Sequence, residues 1–115
     1  MTHLQILRAA KNLMIEKLLK GNDDIFICTA IEQSVKSTGT YHNDVQEVRE
    51  LRAWVRGMIK NCHTFCEWLE LCTNVRNKDI YKEVYSPTFG RRVQSVDLHR
   101  LLWIDQLIKI YEDAE

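Results

Sequence analysis

"DVQEVRELRAWVRGMIK", residues 44–60, is the stretch on which the fold turns. Set at about 100° per residue, Val48, Leu51, Trp54, Val55, Met58 and Ile59 fall into one continuous apolar stripe. That spacing predicts an amphipathic helix. Asp44 with Glu47 has the spacing of a capping box and marks its expected start. Gly57 sits inside the pattern, at a cost of about 1 kcal/mol relative to Ala. A close helix crossing would account for it. The polar side of the same helix carries Arg49, Arg52, Arg56 and Lys60 at i, i+3, i+7 and i+11. They span about 80° of arc, and no acidic residue shares the strip.

Upstream, a first helix is expected from about Leu4 to Lys20, closed by Gly21 as a left-handed cap. Leu4, Ile6, Leu7, Ala10, Leu13, Met14, Ile15, Leu18 and Leu19 cover more than half of its circumference. Such a helix is either central to the fold or meets another chain, so homo-oligomerisation is an open expectation. "NDDIFICTAIEQSVKSTG" predicts a second helix capped by Asp23 or Asp24 and ended by Gly39. Ile27, Ala30, Ile31, Ser34 and Val35 share one of its faces. "TYHND" reads as a loop.

Downstream, Thr64 with Glu67 repeats the capping-box spacing, so a helix is expected from about Phe65 to Asn74. "DIYKEVY" fits a short helix, although its alternation also suits a strand. "SPTFGRR" reads as a loop. Ser95 or Asp97 should cap a last helix carrying Leu101, Trp103, Ile104, Leu107, Ile108 and Tyr111. The tryptophans Trp54, Trp68 and Trp103 fall at core positions of three helices; the alternative is a stacking platform for a base. The expected architecture is all-α: a single compact domain, residues 1–115, of about five helices.

Composition agrees with that class. The chain has 115 residues, 45% apolar and 28% charged, with sixteen basic residues against sixteen acidic ones. A core of useful size is feasible, and net charge selects no partner. No apolar run approaches the ~20 residues that span a bilayer, and no signal peptide is evident. A soluble, cytoplasmic protein with reduced thiols and no membrane partner is expected.

"CHTFCEWLELC", residues 62–72, gathers three of the four cysteines beside His63. On one helix Cys66 and Cys72 diverge by roughly 120°, so they cannot share a metal ion. Phe65, Trp68, Leu69 and Cys72 form an ordinary buried stripe, and free cysteine packs as a small hydrophobe. Cys62 and His63 stay open as a two-ligand candidate; otherwise no metal and no cofactor is expected. Cys28 has apolar neighbours, which raise a thiol's pKa and favour packing over nucleophilic catalysis. There is no phosphate-binding glycine loop, zinc-protease motif or nucleophile elbow. An enzyme is not expected.

Two segments remain as candidate binding surfaces. Arg49, Arg52, Arg56 and Lys60 could follow a phosphate backbone or an acidic protein surface; the bland reading is a solvated face paired from other helices. In "SPTFGRRVQ", a turn fixed by Pro87 and Gly90 would present Phe89, Arg91 and Arg92, a hot-spot composition. Alternatively Phe89 folds onto the core. Nearby Arg76, Lys78 and Lys82 could enlarge this patch.

"FICTAI" (26–31), "FCEWL" (65–69) and "HRLLWIDQLIKIY" (99–111), taken in order, resemble a group of small, mostly uncharacterised bacteriophage proteins. That group tends to carry Phe-Ile-Cys-x-Ala, then Trp-Leu, then Arg-x-x-Trp-Ile/Leu-Asp-x-Leu-Ile. The resemblance covers about half of the chain in short islands. It implies a phage origin and the cytoplasm of an infected bacterium, and supplies no reaction. By analogy, such proteins act by binding. The expectation is a non-enzymatic protein that inhibits or modulates a host factor, either a host protein or a protein–nucleic-acid complex. A bacterial defence component, in the anti-CRISPR-like or another anti-immune manner, is one such target. The alternatives are an oligomeric sponge for a small anionic ligand such as a cyclic nucleotide, and direct nucleic-acid binding.

Overall fold

The chain enters its first helix, α1 (His3–Leu19), through a reciprocal capping box. Gln5 N–H donates to Thr2 Oγ1 at 3.1 Å, and Thr2 N–H donates to Gln5 Oε1 at 2.9 Å. The helix ends where Gly21 takes φ 91°, with Gly21 N–H bonded to the Leu18 carbonyl and Asn22 N–H to that of Lys17. This is the double closure of a Schellman turn, and only glycine adopts that backbone without strain. These residues belong to a computed structural model that describes the backbone of residues 1–60 and 82–114, and the side chains of residues 1–57 and 82–114.

Helix α2 (Ile27–Ser37) follows a short linker and buries Ile27, Ala30, Ile31, Ser34 and Val35, the face its spacing predicts. Its start differs from expectation. Neither Asp23 nor Asp24 caps it: Phe26 stands at the N-cap with no side-chain bond, and Asp24 adopts a left-handed φ of 55°. The linker is held instead from across the fold. Asp97 accepts the backbone N–H groups of Asp24 and Ile25, each at 3.1 Å, and a guanidinium bond from Arg100 at 2.9 Å.

Helix α3 (Tyr41–Lys60) starts three residues before the expected Asp44 cap, so "TYHND" is mostly helix. The Thr40 carbonyl accepts from Asn43 and Asp44 N–H, and the Thr40 hydroxyl donates to Asp44 Oδ2 at 2.8 Å. Asp44 sits in the first turn, where the Met1 ammonium donates to its Oδ1 at 2.7 Å. Val48, Leu51 and Val55 are buried as the stripe predicts, while Trp54 is half-buried, edge-on to Tyr111. No described atom lies within 4 Å of a Cβ built on Gly57, so no close crossing with a described helix accounts for that residue.

The all-α expectation needs a correction. Residues Glu83–Ser86 form strand β1 and Arg91–Gln94 form strand β2, an antiparallel hairpin in which Val84 faces Val93 and Tyr85 faces Arg92. The segment read as a short helix is therefore strand from Glu83 onward, and the end of the segment read as a loop is β2. The hairpin runs directly into helix α4 (Ser95–Asp113). Neither Ser95 nor Asp97 caps α4. Gln94 is its N-cap, without a side-chain bond, and Asp97 is spent on the linker.

Among the described residues the fold is thus mostly helical, four helices and one hairpin around a single core. Helix α1 is central, packed against α2, α4 and α3; it buries Leu4, Ile6, Leu7, Ala10, Met14 and Leu18, while Leu19 of its apolar set is 60% exposed. Ile6, Leu7, Met14, Leu18, Ile31, Leu51, Ile104 and Leu107 have no exposed surface. Each contributes roughly 1.5–3 kcal/mol by leaving water. Trp103 is buried in the same core, as expected. No helix among the described residues is long and apolar enough to cross a membrane.

Candidate binding face

Helices α2 and α3 lie side by side, and their shared polar edge is where the predicted basic row falls. Arg49 and Arg56 are exposed and make no ion pair among the described residues, while Arg52 is half-buried. Arg52 Nη1 donates to Glu32 Oε2 at 2.8 Å. The other oxygen of the same carboxylate, Oε1, holds the Lys36 ammonium at 2.7 Å. Arg52 Nε is buried without a hydrogen-bond acceptor. Glu32 thus holds the guanidinium at Nη1.

Electrostatics confirm the grouping. The bonded Lys36 ammonium, followed by the charges of Arg52 and Arg56, holds the Glu32 carboxyl below its ordinary range. Glu32 in turn raises Lys36. One carboxylate thus faces three cations drawn from two helices, and the edge keeps a net positive charge. The sequence strip contained no acid because the acid comes from another helix, twenty residues earlier. Glu32 and Lys36 were not singled out as site residues; their i, i+4 spacing on α2 was the available signal. Lys60 continues the row in backbone position, at the end of α3.

The hairpin separates the residues that its sequence had grouped. Phe89 packs against the core rather than standing on display. Arg91 serves the end of α1: Nε and Nη2 each donate to the Leu18 carbonyl at 3.2 Å, and Nη2 also to the Asn22 carbonyl at 2.9 Å. A cation at a helix C-terminus is favoured there by the helix dipole as well. Its Nη1 lies 3.3 Å from Asp23 Oδ1. Arg92 alone of the three faces water, 68% exposed, with Glu83 at 3.7 Å. Its cross-strand neighbour Tyr85, 64% exposed, is the aromatic that the hairpin presents.

Two hollows among the described residues are large enough for a small ligand. One, of about 310 Å³, is bordered by Lys17, Asp23, Asp24 and Phe26. The other, of about 460 Å³, lies between α1 and α4 among Arg8, Lys11, Lys109, Asp105, Glu112 and Asp113. The first is acidic on balance and the second balanced, and its Arg8–Glu112 and Lys11–Asp105 pairs are already made. Neither offers a small anion the excess positive charge it would need. Cys28 is half-buried against the core, its Sγ 4.0 Å from the Arg52 carbonyl, which suits a packing role. Among the described residues no three His, Cys, Asp or Glu side chains converge as metal ligands. Cys62, His63, Cys66, Cys72, Trp68, Arg76, Lys78 and the helix expected from about Phe65 to Asn74 lie outside the described residues.

What the fold and this edge define is a mostly helical globule with a cationic face shared by two helices. Comparison with protein-family models, with curated proteins and with solved structures finds no match for the chain.

Proposed function

We propose that this is a non-enzymatic binding protein whose α2–α3 edge docks on an anionic surface of a partner. The observation that carries the reading is the unequal charge of that edge: Lys36, Arg52 and Arg56 around the single carboxylate of Glu32, with Arg49 exposed beside them on α3. A folded protein at zero net charge that keeps such an excess on one rigid helix pair has a surface suited to steering and holding an anion. Arg49 and Arg56 supply free charge, and Arg52 supplies a fixed guanidinium. Lys60 extends the row. Arg92, with Tyr85, stands as a second contact on the hairpin, whereas Arg91 and Phe89 serve the fold.

The wider setting follows the resemblance of "FICTAI", "FCEWL" and "HRLLWIDQLIKIY" to small phage proteins. In that reading the protein works in the cytoplasm of an infected bacterium and inhibits or modulates a host factor, such as a defence component.

The test is affinity capture from infected-host lysate with the wild-type chain and with the double variant Arg49→Glu, Arg56→Glu. Both positions are exposed, so the variant should fold. The expected result is a partner held by wild type, released by rising salt, and lost from the variant. Equal retention of the same partner by both proteins would remove this face from consideration.

A further inference from the structure

We infer that the α2–α3 edge is shaped for an acidic helix of a partner protein, and that Glu32 competes inside the fold for the cations that helix would engage. This rests on the cationic edge being the binding face.

Axial spacing comes first. Arg49, Arg52 and Arg56 rise about 4.5 and 6 Å from one to the next along α3. Carboxylates at i, i+3 and i+7 of a second helix rise by the same steps, because both helices share one period. A helix laid along α3 therefore meets all three arginines in register, as flanking charges do in paired helices. The fold already makes this contact once. Helix α2 lies against α3 and offers Glu32 to Arg52 at 2.8 Å, with Lys36 on the other oxygen at 2.7 Å. Planar guanidinium groups match carboxylate forks, and the row is arginine at all three described positions.

The alternatives fit less well. A single nucleic-acid strand needs aromatic faces for its bases. Of the aromatics on α3, Trp54 is half-buried against Tyr111, and the half-buried Tyr41 ring already has the Lys36 ammonium over it at 5.0 Å. A duplex would meet the charge but has no reason to match a helical period.

Glu32 then has a second consequence. An incoming carboxylate must share Lys36 and Arg52 with it and feels its repulsion. Replacing it by an uncharged isostere should strengthen binding, which misfolding cannot mimic. The test uses a labelled synthetic helical peptide with Glu repeated at i, i+3 and i+7, a peptide of equal composition with the row scrambled, and a short DNA duplex. Each is titrated against wild type, Glu32→Gln, and the Arg49→Glu, Arg56→Glu double variant. Expected are preference for the ordered peptide over the scrambled one and about two- to fivefold tighter binding by Glu32→Gln. The double variant should bind at least tenfold more weakly. Equal binding of both peptides, or no gain with Glu32→Gln, overturns the inference. A duplex that binds better than the ordered peptide and is lost from the double variant also overturns it, while leaving the cationic face intact as the docking surface.

Discussion

Replacing Arg91 by Ala should destabilise the protein by about 2 kcal/mol without touching its binding. The Arg91 guanidinium bonds the carbonyls of Leu18 and Asn22 at 2.9–3.2 Å, at the end of the helix that centres the core. The Leu18 carbonyl already accepts the Gly21 N–H at 3.2 Å, and the charge-assisted hydrogen bonds that Arg91 adds contribute about 1.5–3 kcal/mol net. The Asp23 contact adds little, since that carboxylate is half exposed. Unfolding entropy near 2.1 cal/mol/K per residue means that about 2 kcal/mol lowers Tm by about 8 °C in a chain of this size. Arg91→Lys should recover only part of the loss, because an ammonium cannot fork between two carbonyls. Arg92→Ala, next in sequence but facing water, should stay within about 0.5 kcal/mol of wild type. Urea unfolding followed by circular dichroism measures all three variants. A stable Arg91→Ala protein, or equal losses at 91 and 92, would refute the assignment of Arg91 to the helix end.

Asp97→Ala removes a carboxylate with no exposed surface that accepts two backbone N–H groups and Arg100; a loss of about 3 kcal/mol in urea midpoint analysis is expected, with local loosening of residues 22–26 in hydrogen exchange. Gly57→Ala should stabilise by up to about 1 kcal/mol, since a Cβ there meets no described atom and glycine is costly inside a helix. Glu32, beside Lys36, and Asp44, beside the Met1 ammonium and Thr40, both have carboxyls held below their ordinary range. The folded state therefore binds fewer protons than the unfolded state, and this stabilisation is complete above the ordinary carboxylate pKa of about 4. It is lost as pH falls through the depressed values, so urea midpoints should drop between about pH 5 and pH 3, and less steeply in Glu32→Gln and Asp44→Asn.

The helices were legible because periodicity reports burial directly. In α2 the five residues assigned to one face are the five that are buried, and Gly21 closes α1 as its position suggested. Helix starts were less legible. Asp24 and Asp97 both carry capping chemistry, but the carboxylate of Asp97 is committed to the amides of the α1–α2 linker, 72 and 73 residues away in the chain. A tertiary bond of that length leaves no local trace. The hairpin was missed for a related reason: its strands have four residues each, and most of β1 faces water, so alternation has too few periods to register. The exposure of Arg49 and Arg56 was legible from the spacing of the row, while the Glu32 carboxylate that α2 brings to Arg52 was not. A charge partner supplied by a neighbouring helix is invisible to any reading of a single face. Phe89 and Arg91 look like display residues in sequence because a turn with an aromatic and two arginines resembles a hot spot. Which of them faces water depends on where α1 ends.

Backbone hydrogen exchange and amide shift mapping on the protein bound to its captured partner, or to the ordered acidic peptide, would weigh the whole account most directly. Perturbation confined to the stretch of α2 around Glu32 and Lys36 and of α3 from Arg49 to Arg56 is the predicted footprint. A footprint centred on α4 and the far side of α1, with that edge unchanged, would contradict it.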